Sequence, residues 1–202
     1  MQFPEAHPIL PYAPDGSNIS AISLAETDIN DVESLLATLN TPYAIGGYAE
    51  DRAFYRRSAN FANAEGDYRS VHLGLDLWGP AGTPVFAPLN ASVHSFADNA
   101  HPGDYGPTIL LAHEGVFTLY GHLDTASLLG LKEGQLVRAG QQIGRLGAPH
   151  ENGNWPPHLH FQLVLDPGSW RGDYPGVAFK KDSAWWLKNS PNPNLLLQLP
   201  IL

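Results

Sequence analysis

The chain contains no cysteine. That excludes disulfide staples, thiol nucleophiles, iron–sulfur clusters and thiolate zinc sites. Its 202 residues include a single methionine, and only 15% are charged. No apolar run approaches the ~18 residues that a membrane-spanning helix needs. Basic residues are scarce, 11 against 20 acidic, for a formal net charge of -9 with histidine neutral. Phosphate backbones are held by clustered Lys and Arg, so nucleic acid is not an expected partner. The first residues, MQFPEAHP, have neither a basic start nor an apolar stretch, so no secretory signal is expected. The corresponding expectation is a cytoplasmic protein, or a cell-envelope one if the sequence is trimmed. Two nucleophile signatures are missing as well: there is no His-Glu-x-x-His and no Gly-x-Ser-x-Gly.

What is abundant is turn chemistry. Glycine (20) and proline (18) make up about 19% of the chain, against roughly 12% in average proteins. Apolar residues are 43% and aromatic ones 10%, enough for a core. Short β-type runs alternate with Gly/Pro turns from residue 71 to 166: VHLGLDLW, TPVFAPL, ASVHSF, TILLAHE, VFTLYGHL and HLHFQLVL. This pattern predicts a mainly β fold, an antiparallel β-sheet groove or sandwich, with one or two short N-terminal helices. Three parts are expected: an N-terminal arm and helical extension over 1–70, a β core over 71–166, and a C-terminal tail over 167–202. In the extension, 1–20 reads as an irregular arm. The acidic start and apolar spacing of Asp28–Leu39 predict a helix. Thr41–Tyr48 reads as a turn, and Glu50–Phe61 is open between helix and strand. A short turn is expected at Asp124–Leu129. Pro191, Pro193 and Pro200 predict an extended tail whose tryptophans, Trp170, Trp185 and Trp186, pack back on the sheet; exposure in a ligand cleft is the alternative.

Nine histidines in a chain without cysteine prompt a search for a metal centre. Side chains at even separation on a strand share a face. Read as one strand, 71–78 puts His72 and Asp76 on one face and Leu73 and Leu75 on the other. The same parity puts His158 and His160 together, opposite Leu159 and Phe161. If these strands are neighbours, four ligand-type groups converge. A histidine and carboxylate set suits zinc with an open coordination position, the catalytic rather than the structural arrangement. His113 is expected in a structural or supporting role, whereas His94, His101 and His150 carry no assigned chemistry.

The order His72-x-Gly74-x-Asp76, Ala81–Pro88, Leu119-Tyr-Gly-His122, Gly140-Gln-Gln-Ile-Gly144 and His158-Leu-His160-Phe resembles the lysostaphin/LytM-type zinc metallopeptidases over roughly residues 69–166. The resemblance implies their duplicated-hybrid-motif type of β groove and Zn2+ held by His72, Asp76 and His160. It implies assisting, non-ligand roles for His122 and His158, with His122 the candidate oxyanion donor and His158 the base or acid, or the two roles exchanged. The implied activity is hydrolysis of a peptide bond, in a peptide or peptidoglycan-like substrate, by a metal-activated water. The chain departs from the family's usual pattern in the loop Ala148–Pro157 and at Gln162, where Glu is frequent. Gln162 shares a face with His160 and is a candidate supporting residue. Gly46–Glu50 with Arg52, Asn152–Gln162 and Pro191–Asn194 are similar to a narrower subgroup, domains fused between a phosphotransferase-like and an aminotransferase domain.

Three other readings compete. A non-catalytic module could bind peptide or glycan in the same groove. The segment Leu131–Leu146 is similar to biotinyl or lipoyl carrier domains, but no hairpin lysine stands where the cofactor would attach. A structural zinc protein fits poorly with three firm ligands and two further histidines.

Overall fold

The computed structural model describes residues 3, 5–28, 31–57 and 59–200. Twelve strands form over them: β1 (Ile19–Ala21), β2 (Tyr43–Gly46), β3 (Arg69–His72), β4 (Leu75–Trp78), β5 (Pro84–Phe86), β6 (Ala91–Asn99), β7 (Gly106–His113), β8 (Val116–Gly121), β9 (Leu136–Val137), β10 (Gln142–Arg145), β11 (His158–Val164) and β12 (Val177–Phe179). Eight of them make one sheet in the order β1-β2-β4-β11-β8-β7-β6-β9, while β10 pairs with β5 and β12 with β3. The β1–β2 pair is parallel and the other pairings are antiparallel. The expected mainly β, antiparallel architecture is the observed one. Among the described residues no helix is long and apolar enough to cross a membrane.

The centre of the sheet positions the site. In β11, Leu159, Phe161 and Leu163 alternate into the main apolar cluster with Leu75 and Leu77 of β4 and Tyr120 of β8. The intervening His158, His160 and Gln162 therefore share the other face. Every residue of β11 is nevertheless buried. The polar face is roofed by the tail, whose Pro175 carbonyl and Ser190 hydroxyl both meet Gln162.

Several local expectations are corrected. The run 71–78 is two strands, not one: β3 pairs with β12 and β4 with β11. The chain breaks at Leu73–Gly74, where a Cβ on Gly74 would lie 2.7 Å from the Phe161 carbonyl oxygen and 2.8 Å from the His160 ring. Thr41–Tyr48 is not simply a turn. Tyr43–Gly46 is β2, whose Ala44, Ile45 and Gly46 pair with β4, and the turn follows it. Gly46-Gly47 resembles turn chemistry, but only Gly47, at φ +95°, needs glycine's left-handed freedom. The helix expected over 28–39 is α1, Val32–Ala37; positions 29 and 30 lie outside the described residues. Glu50–Phe61 resolves into two 3-10 turns, Ala53–Arg57 and Ala59–Phe61. Asp124 caps the expected turn, here Thr125–Leu128.

The prolines do not keep the tail extended. It carries α2 (Ser183–Asn189) and α3 (Asn194–Leu197). Pro193 stands at the α3 start, where a missing N–H and a fixed φ are tolerated. Trp186 packs on Tyr174, with ring centroids 6.0 Å apart, but Trp185 and Trp170 are exposed. The arm is irregular yet tightly docked. Ile9, Leu10, Tyr12 and Ile19 join the main core beside Leu196 and Leu199 of the tail.

Candidate metal centre

The register of three central strands builds the site. His160 on β11 lies directly opposite Asp76 on β4 and Gly121 on β8, with His158 opposite Trp78. His72 arrives from the end of β3, across the Leu73–Gly74 break. Parity on a single strand, as read from the sequence, is therefore not what unites His72 and Asp76; the break swings one toward the other. All three are almost fully buried, and their ligand-type atoms lie within 4.8 Å of one another.

The hydrogen bonds around these side chains decide where their protons sit. A carbonyl oxygen can only accept, so His72 must carry its proton on Nδ1, which donates to Gly47 O at 2.9 Å. The Gln162 amide nitrogen donates to Pro175 O and Ser190 Oγ, which turns its Oε1 toward His160 Nε2 at 2.8 Å. His160 is thus protonated on Nε2, with the Tyr105 hydroxyl a second neighbour at 3.3 Å. Both bare nitrogens, His72 Nε2 and His160 Nδ1, face each other at 2.9 Å. Asp76 Oδ1 stands 3.3 Å from the first and 3.4 Å from the second. It is buried without a hydrogen-bond partner, while Oδ2 accepts from Arg52 Nη1 at 2.6 Å.

Three lone pairs converge with no proton between them, an arrangement that repels unless a cation sits among them. Two imidazoles and a carboxylate are zinc donors, so the residues present fit the metal that the sequence implies. Burial, reinforced by the Arg52 charge, pushes the His72 pKa down to about 4. Burial alone would raise the Asp76 carboxyl, but His72 and Arg52 outweigh it and hold the group well below the usual range. Both shifts favour the forms that ligate a metal.

His122 and His158 sit beside this trio, with ring centroids 4.2 Å apart. His122 Nδ1 donates to Asn152 O at 2.8 Å and His158 Nδ1 to Pro156 O at 2.7 Å. Each therefore presents an unprotonated Nε2. His158 Nε2 lies 3.7 Å from Asp76 Oδ1. Burial lowers both pKa values, that of His122 to well below its ordinary value. His122 holds φ +64°, a left-handed backbone uncommon for a residue with a Cβ and concentrated at functional sites. Its one proton is committed to Asn152, so service as an oxyanion donor takes a second proton, on Nε2.

The five residues line a cleft of about 390 Å³. Phe54, Tyr55 and Phe61 from the extension form one wall, and Trp155 with Trp170 borders it. His101, given no role in the sequence, also lines it, as do Asp104 and Asp173. His113 is structural as expected, bonded to Asn90 O and Thr118 Oγ1, while His94 packs against Phe117. Sequence reasoning missed the roles of Tyr105, Asn152 and Glu50. Tyr105 and Asn152 act on histidines 55 and 30 positions away.

Residues 70–169 match the family model described as Peptidase family M23. Peptidoglycan DD-endopeptidase ShyB of Vibrio cholerae is 31% identical over 163 residues, 74% of this chain and 36% of that protein. DD-carboxypeptidase/endopeptidase Mpg of Neisseria meningitidis is 36% identical over 97 residues, 48% of this chain and 20% of that one. The chain thus spans about a third or less of the length of these curated relatives. Among solved structures, the catalytic domain of lysostaphin from Staphylococcus simulans aligns with a TM-score of 0.46 and 25% identity, covering 64% of this chain and 80% of that one.

Proposed function

We propose, from the premise that residues 70–169 are a domain of Peptidase family M23, that this chain is a zinc-dependent metallopeptidase hydrolysing an amide bond in a peptidoglycan-type peptide. The observation that carries the reading is the convergence of His72 Nε2, His160 Nδ1 and Asp76 Oδ1 with no proton among them. The relatives, peptidoglycan endopeptidases among them, support the substrate class.

Zinc, when bound there, supplies Lewis acidity toward a carbonyl oxygen and activates water as a nucleophile near neutral pH. The chain's own residues handle the proton. His158 Nε2 and His122 Nε2 are both free to accept from that water. His158 is the proton carrier in this reading, because burial depresses its basicity less than that of His122. The Pro156 carbonyl holds its other nitrogen and fixes the ring. The proton then passes from Nε2 to the leaving nitrogen. His122, harder to protonate, orients the water by accepting a hydrogen bond at Nε2. Positioned acid–base groups of this kind contribute about 10²–10⁴ in rate.

The test begins with elemental mass spectrometry of protein purified without added metal, for wild type and His160→Ala. About one zinc per chain in the wild type, lost in the variant, is the outcome expected of a three-ligand site. No zinc in the wild type after reconstitution overturns the reading. Incubation with purified peptidoglycan and with short soluble muropeptides then reads the activity. Cleavage of neither overturns the proposed substrate class.

A further inference from the structure

We propose that the Gly47–Arg52 loop is the positioning element of the metal centre, and that Arg52 sets how Asp76 presents its carboxylate. This rests on the zinc reading above. The loop lies outside residues 70–169, the span that matches the family model, yet it touches two of the three candidate ligands.

Gly47 O holds the His72 proton on Nδ1. One residue of the same loop, Arg52, holds Asp76, and a second, Glu50, holds Arg52. Arg52, 2% exposed, uses both arms of its guanidinium fork: Nη1 donates to Asp76 Oδ2 at 2.6 Å and Nε to Glu50 Oε2 at 2.7 Å. With Oδ2 occupied, Asp76 has one oxygen left, Oδ1, to offer a metal. The carboxylate is thereby kept from closing over the metal with both oxygens, which leaves a coordination position open for water and substrate.

A guanidinium beside a dication is unfavourable by itself. Glu50 offsets it, and Glu50 is itself fixed, its Oε1 accepting from Ser23 Oγ at 2.5 Å and Leu24 N at 2.9 Å. A line of contacts therefore runs from the N-terminal arm through Glu50 and Arg52 to Asp76. The guanidinium is inserted at some cost, since its Nη2 is buried with no partner. Gly47 makes room for it, because a Cβ there would fall 1.9 Å from that nitrogen. Lysine cannot serve both carboxylates, as it lacks the planar fork.

The test uses the full chain and two variants, Arg52→Lys and Glu50→Gln. Zinc affinity is measured by competition with a chromophoric chelator, coordination by the absorption spectrum of the cobalt(II) form, and folding by thermal melting of the chelated protein. Loss of an outer partner of a ligand typically weakens metal binding about 10–100-fold, and that loss is expected in both variants. In Arg52→Lys the cobalt spectrum shifts toward higher coordination as Oδ2 is released. A folded variant that binds zinc like the wild type, with an unchanged spectrum, overturns the proposal. If Arg52→Lys does not fold, wild-type affinity in Glu50→Gln overturns it alone. A wild type with no zinc affinity overturns the zinc reading itself; a wild type that binds alongside equally competent variants overturns only the role of the loop.

Discussion

Replacing Gln162 by leucine probes the site with little change of volume. Gln162 is fully buried. It accepts from His160 Nε2 at 2.8 Å and donates to Pro175 O at 3.2 Å and Ser190 Oγ at 2.8 Å. Leucine removes all three bonds. His160 Nε2–H keeps the Tyr105 hydroxyl at 3.3 Å, so two groups of the tail are orphaned outright. At ~1–3 kcal/mol for each buried polar group left unpaired, the stability loss is about 2–6 kcal/mol. For a chain of this size that lowers Tm by roughly 4–24 °C. The second effect is on the metal. Without its acceptor, His160 is free to place its proton on Nδ1, aimed at the point where the three lone pairs meet. Zinc affinity should fall about 10–100-fold. Gln162→Glu preserves the acceptor toward His160 but opposes the Pro175 carbonyl, so it loses stability while zinc affinity stays near that of the wild type. Chelator competition and urea titration separate the two quantities. Zinc affinity unchanged in Gln162→Leu, with stability reduced, would refute the claim that Gln162 sets the His160 tautomer.

Other substitutions divide binding from chemistry and core from site. His158→Ala should retain zinc and lower turnover about 10²–10⁴-fold; activity near wild type removes His158 as the proton carrier. Ile9→Ala, in an irregular but fully buried segment, should cost about 2–5 kcal/mol, measured by urea denaturation, whereas an undocked arm gives almost nothing. Stability of the chelated protein should fall as pH drops below about 6.5. His72, His122, His158 and His113 are all held below their ordinary pKa by burial. The unfolded chain therefore takes up protons that the folded one refuses. The fall begins at the unfolded pKa and, for His72, ends near 4, where its folded form titrates. Urea midpoints that are flat from pH 7 to 5 contradict this assignment.

The strands that bear chemistry were legible because their apolar partners alternate with them. Leu159, Phe161 and Leu163 define the inward face of β11, so His158, His160 and Gln162 had to share the other. What escaped the sequence was long-range. Parity placed His72 near Asp76 by an assumed single strand, whereas the actual cause is a break that only the Phe161 carbonyl and His160 ring impose on Gly74. β2 was hidden because Pro42 and the Gly46-Gly47 pair carry turn chemistry on both sides of a strand of four residues. The tail's helices were hidden because prolines, which break a helix in its interior, also start one. Tyr105 and Asn152 escaped because hydrogen bonds to residues 55 and 30 positions away have no periodicity to betray them.

The pairing of β2 with β4 bears on where this molecule can be cut. An expression boundary drawn at residue 70, where the family match begins, would delete β1, β2 and the loop that follows. β4 would then become the sheet's last strand, its backbone donors and acceptors stripped of the partners at Ala44, Ile45 and Gly46. A raw edge made of Leu75, Asp76, Leu77 and Trp78 is a template for pairing with a second chain. Such a fragment would be expected to self-associate through the very strand that carries Asp76. Inactivity of a truncated version would then report a sticky edge, not an inert active centre.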